Sequence, residues 1–364
     1  MTDLSPFPYQ GPLEPEQVAG REALVADLAE RLMAHRVTAL LGPRRYGKTS
    51  LLRRVLHDLE EVGPTPVWFD LYAVTSMADF ASRLDRGLDA VRGPLRRRLT
   101  KVASSVSVNL GAVRLDVRGR GGEADPAVVA RSLVDVLVGA AEHEPVVAVF
   151  DEFAGIAAVD GADAVLRTGL QHHYRKIGVV FAGSEPSMMR MLFTDPARAF
   201  YQQADLVELG PLSTESVATM VDEGFEATGR HAGVVADRVA AFAGGHPQRS
   251  MQLADAAWRR TAEGQEASDE IWMDALEAVR NAVAEGLERL HTALPASQQK
   301  VLRALAHGQS IFGTAARAFD LSKGTATGAR DTLRDTGHLH RLDDGTYQIV
   351  DPLFADWLRL RFPT

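Results

Sequence analysis

Apolar positions over the first 210 residues alternate between two patterns. Short apolar runs at 37–41, 67–71, 146–150, 177–182 and 206–209 have the length of strands. Between them the apolar positions recur with a helical period. One such stretch, 21–35, aligns Leu24, Val25, Leu28 and Leu32. A second, 48–60, aligns Leu51, Leu52, Val55, Leu56 and Leu59 and is broken by Gly63-Pro64. A third spans 126–142, and a fourth, carrying His172, His173 and Tyr174, precedes the run at 177. Apolar strands alternating with helices predict a parallel sheet covered on both faces. Between the second and third strands the pattern is less regular. PLRRRLTK (94–101) reads as a basic helix-like stretch, and SVSVNLGAVRLDV (105–117) as an inserted β-hairpin.

Beyond 212 the period is helical only, to about residue 290. The remainder predicts helices at 297–307, 313–319 and 322–335, a hairpin around Asp343-Asp344-Gly345 and a last helix-like stretch. The expected organisation is a lead-in at 1–19, an α/β core at 20–211 with the hairpin near 104–118, an all-α segment at 212–290 and a C-terminal domain at 291–364.

Composition narrows the class. The chain has 364 residues, 46% hydrophobic and 24% charged, within the range of globular proteins. No apolar run approaches the ~18–20 residues of a membrane span. The opening MTDLSPFPYQGPLEPE has neither the basic nor the apolar region of a secretory signal. There is no cysteine, which excludes disulfides and thiolate metal sites and fits a cytoplasmic location. The net charge of −8 does not favour nucleic acid as a partner.

Chemistry concentrates at the ends of the predicted strands. GPRRYGKTS, from Gly42 through Pro43, Arg44, Arg45, Tyr46, Gly47, Lys48 and Thr49 to Ser50, matches G-x-x-x-x-G-K-[ST] between a strand and a helix. Glycines at this spacing let backbone N–H groups curl around a phosphate, and the helix N-terminus adds partial positive charge. Lys48 would bridge the β- and γ-phosphates, and the Thr49 hydroxyl would ligate Mg²⁺. The strand at 146–150 runs into Asp151-Glu152. Asp151 would hold Mg²⁺ through its water shell, and Glu152 could polarise an attacking water. A carboxylate after the metal-binding Asp argues for water as nucleophile. The strand at 177–182 ends in Gly183-Ser184, which makes Ser184 a candidate sensor of the γ-phosphate.

Other clusters carry less. Adjacent His172 and His173 diverge on a helix, which disfavours a metal site. Met188, Met189 and Met191 read as core, and Arg96, Arg97, Arg98 and Lys101 as a solvated basic face.

Taken together, these motifs resemble the archaeal-type ATPases of the STAND/AAA-like P-loop NTPases. The resemblance rests on Gly20-Arg21-Glu22, GPRRYGKTSLL, VFDEF (149–153), AGSEPSMM (182–189), GGHP (244–247) and YQIVDPLFADWLRLRF (347–362). It implies a P-loop NTPase core, a helical lid and a C-terminal winged helix, with ATP or ADP and Mg²⁺ as ligands. It further implies that Gly20 and Arg21 approach the adenine, and that His246 and Pro247 lie in a lid over the nucleotide. Arg249 would be the lid's phosphate-sensing arginine. One departure stands out. The group often carries a Tyr/Phe-Gly-Arg element before the last core strand; here the stretch reads Phe200-Tyr201-Gln202-Gln203, with Arg198 out of register. A missing arginine finger can cost ~10³–10⁵ in rate, so slow or partner-triggered hydrolysis is expected.

In the C-terminal domain the helix SKGTATGARDTLRD would be the recognition helix, its exposed face formed by Lys323, Thr325, Thr327 and Arg330. Residues 295–364 hold nine Lys/Arg and seven Asp/Glu, a net of +2, a weak footprint for DNA. The leading expectation is therefore an ATPase acting as a conformational switch, with a protein partner or an ATP-dependent homo-oligomer left open. An ATP-regulated DNA-binding protein and a nucleotide-bound scaffold without turnover are the alternatives.

Overall fold

The computed structural model describes residues 4–60, 63–105, 110–111, 125–313, 319–342 and 344–363. Among these, the chain forms two compact units. One comprises Glu22–Gly42 and Lys48–Leu209; the other comprises Met1–Arg21, Pro43–Gly47 and Gly210–Thr364.

The first unit is built on five parallel strands: β1 (Thr38–Leu41), β2 (Thr65–Asp70), β3 (Val146–Asp151), β4 (Ile177–Gly183) and β5 (Asp205–Glu208), in the order β2-β3-β4-β1-β5. Every residue of β1, β3 and β4 is buried, as an apolar run between two helical layers should be. The edge strand β5 instead exposes Asp205 and Glu208, and Asp205 takes ion pairs from Arg31 and Arg36.

Helix α1 (Glu22–Met33) precedes β1, and α2 (Lys48–Glu60) follows it with all five expected apolar residues buried. The stretch after β2 is more regular than the sequence suggests. It folds as α3 (Met77–Ala90), with Ser76 as N-cap accepting from Asp79 N, and α4 (Gly93–Ser105). On α4, Arg96 bonds Asp89 at 2.6 Å and Arg98 reaches Glu144. Most of the expected hairpin at 105–117 lies outside the described residues.

Helix α5 (Pro126–Ala141) leads into β3, α6 (Ala162–Leu170) into β4, and α7 (Pro186–Thr194) follows β4. His172, His173 and Tyr174 do not lie on a helix: α6 stops at Leu170, and they occupy the turns before β4. Met189 on α7 is fully buried in the core.

The second unit packs α8 (Thr214–Glu226), α9 (Val235–Ala243), α10 (Pro247–Trp258) and α11 (Asp269–Ala293) with α12 (Ala296–Ala306), α13 (Lys323–Asp335) and α14 (Pro352–Arg361). Strands β6 (Leu339–Arg341) and β7 (Tyr347–Ile349) pair antiparallel between the last two helices. The expected helix at 313–319 falls mostly outside the described residues.

One continuous core runs through all of these elements, from Val217 on α8 to Leu358 on α14. The lead-in belongs to it. Phe7 is 1% exposed and its ring lies 5.7 Å from that of Phe225. Two bidentate ion pairs stitch the unit further: Arg249 to Asp351, and Arg280 to Asp356 at 2.8 and 2.9 Å. No described helix is long and apolar enough to cross a membrane.

Candidate functional site

In a parallel sheet all strands end on the same edge, and here the candidate residues collect there. Leu41 pairs with Gly183 and Phe150 with Phe181, so Gly42, Glu152 and Ser184 each stand within a residue or two of aligned strand ends. Ligands of open α/β sheets bind at this edge.

The loop after β1 has two non-helical kinks, Arg45 at φ 67° and Gly47 at φ 86°. Left-handed residues interleaved with right-handed ones turn successive N–H groups to one side, the geometry of an anion nest. Gly42 is required for a different reason: a Cβ there would sit 2.9 Å from Leu209 Cβ, so the strand exit tolerates no side chain. Lys48, in the first turn of α2, is 5% exposed and donates to the Gly42 carbonyl at 2.8 Å, folding its ammonium back across the loop. Ser50, two residues further along the helix, is buried; Pro43 is buried too, and Arg44 exposed.

Thr49 and Asp151, the two expected metal residues, meet directly. The Thr49 hydroxyl donates to Asp151 Oδ2 at 3.0 Å. Burial, reinforced by the neighbouring Glu152 charge, pushes the Asp151 carboxyl up to about 6 despite that bond. A hard oxygen pair in which burial disfavours the carboxylate's charge suits a divalent cation of the Mg²⁺ type, which would relieve the penalty. No group of three or more carboxylate or imidazole ligands occurs among the described residues, so such a cation would draw its other ligands from water and phosphate.

Glu152 is held unusually. It is left-handed, φ 51° and ψ 41°, a conformation that costs a non-glycine residue about 1 kcal/mol or more. Three contacts hold the turn. The Glu152 N–H donates to Asp151 Oδ1 at 3.0 Å. Phe153 is buried 4.3 Å from the Phe181 ring and edge-on to Phe200, which locks the backbone that follows. Ser184 takes both carboxylate oxygens, its hydroxyl donating to Oε1 and its N–H to Oε2 at 3.2 Å. Ser184, read from the sequence as a phosphate sensor, thus has a second partner that the sequence did not indicate.

The lid candidates lie in the second unit. His246 is the N-cap of α10, its Nδ1 accepting from Arg249 N at 3.4 Å, and Pro247 occupies the first turn. Burial, with Arg249 and Arg45 adding to it against the pull of Asp351, lowers the imidazole to about 4, so the ring is a neutral acceptor. Tyr46 of the phosphate loop packs edge-on against that ring at 5.1 Å, and burial pushes its phenol up to about 12. Gly245 is at φ 77°, and a Cβ there would meet the Leu212 carbonyl at 2.1 Å.

Arg249 is 5% exposed and fully engaged. Its Nε and Nη2 bond the two oxygens of Asp351 at 3.0 and 2.5 Å, and Nη1 bonds Gln252 at 2.6 Å. Sequence reasoning did not pair Asp351 with Arg249; the only signal was the Asp-Pro step that starts α14. Gly20 is at φ 70° against Ser216, and the Arg21 guanidinium donates to the carbonyls of Gly210 and Pro211.

The face of α13 also differs from expectation. Arg330 is not displayed outward with Lys323 and Thr325: it bonds Asp331 at 2.7 Å and lies 5.0 Å over the Tyr347 ring. Thr327 turns its hydroxyl to the Lys323 carbonyl.

No protein-family model matches the sequence, and no curated protein matches it. Solved structures do. A Walker-type ATPase of Pyrococcus abyssi is 20% identical, covers 97% of this chain and 99% of its own, and superposes with a TM-score of 0.72. The ORC2 protein of Aeropyrum pernix, solved as ADPNP–ADP complexes, is 13% identical over 100% of this chain and 99% of its own, TM-score 0.60. The ORC1 protein of Aeropyrum pernix, solved in complex with DNA, is 17% identical over 94% of this chain and 93% of its own, TM-score 0.51. At these identities the likeness is one of fold, and the chain has the parallel-sheet P-loop NTPase fold of these structures.

Proposed function

We propose that the chain binds ATP together with Mg²⁺, hydrolyses it slowly, and uses the γ-phosphate to switch the conformation of its helical second unit. The observation that carries this reading is the meeting of Lys48, Thr49, Asp151, Glu152 and Ser184 at one edge of the sheet, from three strand ends far apart in sequence.

Each residue then has a task. The loop at 42–49 cradles the phosphates with backbone N–H groups, and Lys48 leaves the Gly42 carbonyl to lie along the β- and γ-phosphates. Thr49 and Asp151 hold the cation, which when bound neutralises charge developing on the phosphates. Glu152, its carboxylate oriented by Ser184, accepts a proton from the attacking water. Slow turnover fits two features: no arginine stands at 200–203, and Arg249 is already committed to Asp351.

The α13 face supports a protein partner over DNA, because Arg330 and Arg334 are matched by Asp331 and Asp335 on their own helix.

The test is a pair of variants assayed for nucleotide binding and phosphate release. Lys48→Ala should abolish binding, and Glu152→Gln should bind ATP without releasing phosphate. Normal phosphate release by Glu152→Gln would overturn the role of Glu152.

A further inference from the structure

Glu152 is aimed by a turn that its residue type does not favour, since its backbone is left-handed at φ 51°. A non-glycine residue stays in that region only where its surroundings over-determine it. Before the turn the chain is fixed in β3, and the Glu152 N–H is tied to Asp151 Oδ1. After it comes a short 3₁₀ turn, Phe153–Ala158, held by two fittings. One is Gly155, where a Cβ would meet the Leu71 carbonyl at 2.4 Å. The other is the fully buried ring of Phe153.

That ring is boxed by other phenylalanines. Phe150 on β3 is 6.4 Å away, Phe181 on β4 4.3 Å, Phe193 on α7 5.9 Å and Phe200 5.3 Å. Strand or helix holds the first three. Phe200 is carried by the turns that join α7 to β5. Its placement is nonetheless exact in kind: its ring stands at 87° to that of Phe153 and 5.0 Å from that of Phe181. An edge-to-face pair has a directional preference that an aliphatic side chain does not reproduce. The turns themselves are pinned. Gln202, also left-handed at φ 54°, donates its N–H to the Phe193 carbonyl at 2.9 Å, and the Gln203 N–H donates to the Phe200 carbonyl at 3.0 Å. All of these residues belong to the first unit.

We propose that Phe200 is a positioning residue for hydrolysis: pressed against Phe153, it keeps the Glu152 turn left-handed and so sets where the carboxylate meets the attacking water. Ser184 holds the carboxylate oxygens, and Phe200 holds the backbone that carries them. Phe200 is apolar and fully buried, so it offers nucleotide no group of its own. It therefore governs rate and not affinity. The inference rests on the nucleotide reading above and adds to it a control over turnover from outside the strand ends.

The experiment measures steady-state phosphate release and equilibrium ATP binding, both with Mg²⁺, on the full chain. The variants are Phe200→Leu, Phe153→Leu, their double variant and Phe69→Leu. Phe69 is the control: it is buried in the same core and stacks on Phe150 at 4.9 Å, so its loss weakens the same packing. Phe200→Leu should lower kcat about ten- to a hundredfold and leave the ATP Kd within about twofold, because a misplacement of about 1 Å at a reacting group costs rate on that scale. Phe69→Leu should keep a kcat near the parent's. The double variant should be no slower than Phe153→Leu alone, because Phe200 acts through Phe153. Denaturant unfolding establishes that each variant is folded at the assay temperature. If Phe200→Leu is not, Phe200→Met, closer in volume, takes its place with the same expectation. An unchanged kcat, a fall matched by Phe69→Leu, or a loss of ATP affinity equal to the loss of rate would each overturn the proposal. If the parent itself neither bound nor hydrolysed ATP, the nucleotide reading would fall and this inference with it. A parent that turns ATP over with no response to Phe200 removes only the positioning role.

Discussion

Thr49 and Asp151 are 102 residues apart in the chain, yet the hydroxyl of one donates to the carboxylate of the other at 3.0 Å, behind the edge where β1 and β3 end. That bond is too little to offset the burial of Asp151, whose carboxyl is pushed up to about 6. A folded-state value above the ordinary one means that the fold prefers the protonated form. The group's contribution is complete below about pH 4 and is lost as pH rises through 6, at a cost of roughly 2–3 kcal/mol by pH 8.

Replacing Asp151 by Asn removes that penalty and keeps an acceptor for Thr49. The ligand-free Asp151→Asn variant should therefore be more stable than the parent at pH 8, by about 1–3 kcal/mol, and the advantage should vanish near pH 4. Denaturant unfolding at the two pH values measures it. The same variant should lose Mg²⁺-dependent turnover. A variant less stable than the parent at pH 8 would mean that the second carboxylate oxygen, which accepts from the Glu152 N–H, outweighs the burial.

On the proposed reading, Ser184 acts on the chemistry through Glu152. Its hydroxyl and N–H each take one oxygen of the carboxylate, and only the hydroxyl is removed in Ser184→Ala. The remaining N–H bond lets the carboxylate swing. The expected result is a fall in kcat of about tenfold or more with ATP affinity little changed, since general-base catalysis contributes about 10²–10⁴ when fully positioned. Ser184→Thr, which keeps the hydroxyl, should recover most of the rate. A large loss of ATP affinity in Ser184→Ala would instead place the hydroxyl on the nucleotide.

Much of the first unit was legible in the sequence because its signals are local. A strand buried on both faces must be apolar along its length, so 146–151 and 177–183 stood out; Gly42 to Thr49 is one uninterrupted motif. The strand ends named the carboxylates and Ser184. What stayed hidden was pairing over distance. Nothing local to Ser184 indicates that it pairs with Glu152, and nothing near Arg249 points to Asp351. The turns at 171–176 were misread as helix because His172 to Tyr174 continue a plausible amphipathic period beyond the observed end at Leu170. Arg330 reads as exposed because arginine is usually outside, but its guanidinium lies over the Tyr347 ring.

Phe7 shows the same blindness in the lead-in. The proline-rich, acidic opening reads only as a lead-in, yet Phe7 is sealed against Phe225, and its ring atoms come within 2.4 Å of where a Cβ on Gly224 would stand. Phe7→Ala should cost about 3–5 kcal/mol of stability in the second unit, the usual penalty for emptying a buried phenylalanine site. Gly224→Ala should also destabilise, through overlap instead of a cavity. Thermal unfolding of both variants tests it; a Phe7→Ala chain within about 1 kcal/mol of the parent would show that the lead-in contributes little to that core.

His246 provides the last test, and its sign differs from that of Asp151. Burial lowers the imidazole to about 4, so the folded chain keeps the ring neutral where an unfolded chain would protonate it. Between about pH 6.5 and 4 the unfolded state binds the extra proton, so stability falls with acidification, by roughly 2 kcal/mol from this residue at pH 5. Asp151 works the other way over part of the same range, and the total pH profile cannot isolate either group. A difference between variants can. His246→Asn keeps a side chain that can cap α10 and removes the titration. Relative to the parent, the variant should gain about 2 kcal/mol on going from pH 7.5 to pH 5, because only the parent loses stability there through this ring. An equal pH response in the two chains would mean that the imidazole takes up its proton in the folded state near its ordinary value. The seal formed around it by Tyr46 and α10 would then be open to water.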